Sequence, residues 1–151
     1  MFQLDKEADN WAAKIFKTGP FRIKFDYYYL FLLVGLLTKK SEAIKGEKND
    51  LVDSFPSDYK QKQKIIINLL LIAEKERLAI PDDSKSRITN ELLEKYIDPD
   101  TSSLNYDGRS LCNDYANYGF RTISEKMPKP EDCYDFLSSY TKLIKEFSKD
   151  F

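Results

Sequence analysis

The chain contains no histidine. That absence removes the commonest general base and the commonest zinc ligand together. There is no Cys-x-x-Cys, no G-x-S-x-G, no H-E-x-x-H, no P-loop and no G-x-G-x-x-G, so the familiar metal, hydrolase and nucleotide signatures are missing as well. Five glycines in 151 residues disfavour an all-β fold, which needs many tight turns. Two cysteines, Cys112 and Cys133, are too few for a disulfide framework. Each falls in an amphipathic segment, which suits buried free thiols in a reducing compartment, with a single bridge as the alternative. The formal net charge is −1, so no global field draws the protein to nucleic acid or membrane. The longest apolar run has eleven residues, about half of what a bilayer span requires. The opening MFQLDKEADN is acidic and lacks an apolar core, unlike a secretory signal, so a cytoplasmic location is expected. These absences together predict a protein that is not an enzyme and carries neither metal nor cofactor.

That apolar run is also the chain's main feature. Tyr27–Leu37 is aromatic or aliphatic throughout except for Gly35, and Lys39-Lys40 closes it. Asp26 is placed to cap a helix over 26–38, and a helix apolar all round is buried on most sides. Gly35 inside it costs about 1 kcal/mol relative to alanine, which close approach of a neighbouring helix would offset.

The remaining pattern predicts further helices over 5–16, 57–78, 86–96, 104–126 and from Pro130 onward, with Pro130 suited to a first helical position. Leu4, Ala8, Trp11, Ala12, Ile15 and Phe16 stripe the first, and Cys133, Phe136, Leu137, Tyr140, Ile144 and Phe147 the last. FRIKF, 21–25, alternates apolar and basic residues but has no partner strand in view, so it reads as an extended lead into the next helix. Residues 41–56 are charged and read as a mobile loop. The expectation is an all-α fold: one domain, 1–151, a bundle of about six helices around a buried helix at 26–38.

Two constellations are candidates for function. From Lys14 to Lys48 there are eight Lys/Arg against three acids. Within that stretch Lys14, Lys17, Arg22, Lys24, Lys39 and Lys40 read either as a solvated face or as a patch that contacts nucleic-acid phosphates. Tyr27, Tyr28, Tyr29 and Phe31 are the other set. Successive helical residues are turned by about 100°, so three adjacent tyrosines cannot share one core, and at least one reaches the surface or a partner. DPDTSSLNYDGR, from Asp98, resembles a calcium loop only in part: its sixth position is Ser103 instead of glycine and its twelfth is Arg109 instead of glutamate, so it reads as an acidic turn.

The segments FRIKFDYYYLFLLVGLL, FPSDYKQKQKIIINLLLIAEKERL and LNYDGRSLCNDYANYGF are similar in kind to small helical accessory proteins of bacterial anti-phage and DNA-modification gene clusters, including those of DNA sulfur modification. The resemblance implies a subunit that works with a larger ATPase or nuclease on DNA, and it transfers no functional residue. Two expectations result: a non-catalytic helical adaptor that binds a larger protein partner, or a nucleic-acid-binding module using residues 14–48.

Overall fold

The structure, a computed structural model, describes residues 1–149. Six α-helices make up most of it: α1 (Lys6–Ile15), α2 (Lys24–Thr38), α3 (Gln63–Arg77), α4 (Lys85–Tyr96), α5 (Tyr106–Lys126) and α6 (Cys133–Ser148). The fold is mainly helical but not purely all-α, which corrects the sequence expectation. Strand β1 (Phe2–Asp5) pairs antiparallel with β2 (Lys48–Val52), Leu4 opposite Asn49 and Asp5 opposite Lys48. Phe2 and Leu4 point inward and are fully buried, while Gln3 and Asp5 face outward, the period of two that a half-buried strand requires. The Asp5 carboxylate then accepts the N–H of Glu7 and starts α1.

The stretch 41–56 therefore carries a strand. Glu42 accepts a charged hydrogen bond from Arg121, and its N–H donates to the carbonyl of Asp114 at 3.0 Å. Helix boundaries shift elsewhere too. Asp26 lies at the third position of α2, not at its cap, and its carboxylate reaches back to the N–H groups of Arg22 and Ile23. Residues 57–59 form a separate 3-10 turn ahead of α3, drawn inward by Tyr59, whose hydroxyl donates to Asp26 at 2.5 Å. Asp132 caps α6, so Pro130 precedes the helix and does not open it.

Helix α2 packs chiefly on α5, and also touches α3, α6 and β2. The α2–α5 contact is made backbone to backbone at two glycines. A Cβ built on Gly35 would lie 1.9 Å from the carbonyl oxygen of Tyr115, and one on Gly119 would lie 1.8 Å from that of Phe31. No other residue type fits at this separation. Phe31, Leu32, Leu36, Tyr115, Ala116 and Ile123 fill the core around the crossing. Among the described residues no helix is long and apolar enough to cross a membrane.

Candidate functional site

The six cations singled out in the sequence do not form one patch. Lys14, Lys17, Arg22 and Lys24 are exposed at the end of α1 and the start of α2. Lys39 and Lys40 follow the other end of α2, and fifteen helical residues at 1.5 Å each set the two groups roughly 22 Å apart. Lys24 is paired with the buried Asp9 at 2.9 Å, and Lys39 with Glu76 at 2.8 Å.

The aromatic set divides just as sharply. Tyr28 and Phe31 are fully buried and Tyr27 nearly so. The Tyr28 hydroxyl donates to the Asn113 side-chain oxygen at 2.8 Å, and burial pushes its pKa well above the usual tyrosine range. Tyr27 donates to Asp9, and burial followed by that carboxylate raises it as well. Tyr29 alone of the three tyrosines is part-exposed, its ring 5.3 Å from that of Tyr59 with the Lys62 ammonium above both.

Among the described residues two carboxylates are buried, the arrangement that would favour acid–base chemistry. Both are saturated with donors. Asp9 accepts from Tyr27, Lys24 and Asn49. Glu74 accepts from the Tyr115 hydroxyl at 2.7 Å and from two Arg77 nitrogens at 2.9 Å each. Burial alone would raise both pKa values, but these hydrogen bonds and charges outweigh it and hold each carboxyl below the ordinary range. A base needs a free lone pair and a cavity in front of it, and these groups tie elements together instead: Glu74 joins α3 to α5, and Asp9 joins α1, α2 and β2. Among the described residues no three His, Cys, Asp or Glu side chains gather as a metal site would require. The acidic turn at 98 is closed by its own chain, with Asp98 accepting the N–H of Asp100 at 2.9 Å.

What the surface does present is the outer side of α3. Sequence IIINLLLIA is apolar apart from Asn68, which is exposed, and the core covers only one side, taking Ile66, Ile67, Leu70, Leu71 and Ala73. Ile65 stays 56% exposed, Ile72 40% and Leu78 44%, with Leu69 part-exposed between them. Residues 65, 69 and 72 lie four and three apart and therefore align along the helix. Beyond Ile72 the stripe opens into a recess of about 340 Å³ lined by Ile72, Lys75, Glu76, Ala79, Ile80 and Lys85. Lys60 and Lys64 are exposed at the opposite end. The sequence signal was available: a helix with more apolar residues than one face can hold leaves some on the surface unless every side finds a neighbour.

No family model matches the chain, no curated protein matches its sequence, and no solved structure matches its fold.

Proposed function

We propose that this chain is a non-catalytic, cytoplasmic accessory subunit that docks a larger protein through the outer face of α3. The carrying observation is the alignment of exposed Ile65 and Ile72 with part-exposed Leu69 between them. Full burial of an isoleucine side chain is worth about 1.5–3 kcal/mol, so covering the exposed half of Ile65 would contribute about 1–1.5 kcal/mol. The lysines at the start of α3 match an occupant that is an amphipathic helix with acidic residues beside its apolar face. The likeness to accessory proteins of DNA-directed defence clusters makes a larger ATPase or nuclease encoded nearby the first partner to try.

The test is size-exclusion chromatography of the purified chain mixed with each purified candidate. The expected result is a stoichiometric complex that survives substitution at exposed Lys142 but is lost in the Ile65→Glu, Ile72→Glu double variant. A complex unaffected by the double variant would remove α3 as the docking face. A second reading, nucleic-acid binding through the first group of cations, is supported by the exposure of Lys14, Lys17 and Arg22 without an ion-pair partner among the described residues. Retention of binding after charge reversal at all three would count against it.

A further inference from the structure

A groove of about 340 Å³ lies between the C-terminal ends of α2 and α5 and the last turn of α6. Lys40, Tyr118, Thr122, Glu125 and Lys126 give it its polar lining, and Phe147 closes its apolar side. Three observations set it apart from an ordinary lysine-bearing helix end.

The first is that backbone N–H groups bond the last carbonyls of α2 and α5, so the lysines serve only to offset the partial negative charge of the helix ends. The N–H of Lys39 already donates to Leu36 O at 3.2 Å and that of Lys40 to Gly35 O at 3.3 Å, while Met127 N–H serves Ile123 O. The second is the balance of charge. Glu125, the one acid of the lining, is turned to Arg121 at 3.3 Å, and Lys39 is engaged by Glu76. Lys40 and Lys126 have no acidic partner among the described residues, and Lys126 is held over the Phe147 ring at 5.0 Å from its centroid. The third is an unspent hydroxyl. Thr122 lines the groove, and its hydroxyl is open to solvent there and makes no hydrogen bond to any described residue. Tyr118 lines the groove as well, and its hydroxyl makes no hydrogen bond to any described residue. Two ammonium groups and two unpaired hydroxyl donors around one concavity match the oxygens of a phosphate.

We propose that this groove is a phosphate-binding site whose ligand is a phosphate ester, either a small one or a link in a single nucleic-acid strand, with Lys40 and Lys126 as the charged contacts and Thr122 and Tyr118 as hydroxyl donors. It stands independently of the α3 docking face and uses none of its residues.

Binding of a fluorescent single-stranded oligonucleotide to the full chain is followed by anisotropy at low salt, with amide NMR shifts recorded for phosphate, pyrophosphate and the strand. Lys40→Glu and Lys126→Glu are each expected to weaken binding on the order of tenfold. Two phosphate contacts predict a slope of log K against log salt of about −1.4, falling to about −0.7 in either single variant. Thr122→Val is expected to weaken binding several-fold with the fold retained by circular dichroism. Pyrophosphate shifts at 118–126 without strand binding would assign the site to a small phosphate ester, and competition between the two would assign it to the strand. No shift at these residues with any of the three probes would overturn the proposal. So would strand binding that ignores Lys40→Glu and Lys126→Glu but is lost on reversal of Lys14 and Lys17.

Discussion

Replacing Gly119 by alanine inserts a methyl group where the backbone of α2 already sits. The new Cβ would lie 1.8 Å from Phe31 O, 2.8 Å from Phe31 C and 2.9 Å from Gly35 N. Ordinary contact needs about 3.4 Å, so α2 and α5 must separate by roughly 1.5 Å, since a backbone carbonyl cannot swing aside as a side chain can. Alanine gains about 1 kcal/mol of helix propensity over glycine. Against that stands overpacking, typically about 1–3 kcal/mol and more where backbone is displaced. The separation also loosens contacts around Phe31, Leu32, Tyr115 and Ala116, and a radial gap of about 0.5–1 Å forfeits a quarter to a half of each dispersion well. The net destabilisation is about 2–4 kcal/mol, or a melting temperature lower by roughly 4–16 °C for a chain of this size. Urea unfolding followed by circular dichroism reads it as a lower midpoint at unchanged slope. Gly46→Ala is the control, because its only close neighbour is the Asp5 carboxylate at 3.3 Å, on an exposed loop. If Gly119→Ala falls within about 0.5 kcal/mol of the parent, the change expected of a neutral surface substitution, the glycine crossing is not what sets the α2–α5 distance.

Three further outcomes are expected. Asp9 and Glu74 have folded-state pKa values below their unfolded ones, so their contribution is present at neutral pH and is lost as pH falls below about 4; Glu74→Gln should flatten the acid limb of a stability–pH curve, and an unchanged limb would show that Glu74 is not linked to folding. Ala79 ends α3 in the left-handed region at φ 52°, with Ile80 N–H donating to Lys75 O and Ala79 N–H to Glu76 O, so Ala79→Gly should stabilise by about 0.5–1 kcal/mol in urea unfolding; a lower midpoint would refute this. Cys112 and Cys133 are buried, and burial pushes Cys112 beyond the ordinary thiol range, so a thiol reagent should label neither in the native protein and both in urea; rapid native labelling would contradict the packing.

The helices were legible because their apolar spacing is local. Gly35 was legible as a close-approach position for the same reason: a glycine that costs helix stability inside an apolar run implies a neighbour. The sheet was not. FQLD and KNDLV are short, contain one β-branched residue between them, and pair across more than forty positions. The six cations looked like one patch because sequence proximity hides the length of α2. The buried anchors escaped notice because Asp9, Asn113 and Glu74 are ordinary polar residues until the fold surrounds them. Asn113, for instance, accepts from both Tyr28 and the N–H of Gln3. The outer face of α3 and the Thr122 groove depend on which side the core leaves uncovered, and no periodicity encodes that choice.

The bond from Gln3 to Asn113 spans 110 residues, and the glycine crossing joins the second helix to the fifth. A ribosome adding about 5–20 residues per second needs roughly 6–20 s to travel that distance. During that interval the strand at the start of the chain has no Asn113 to hold it, and the most apolar helix has no α5 to cover it. The architecture therefore makes the nascent chain most vulnerable to aggregation between the emergence of α2 and that of α5, and it places the decisive folding step after residue 119 has left the exit tunnel.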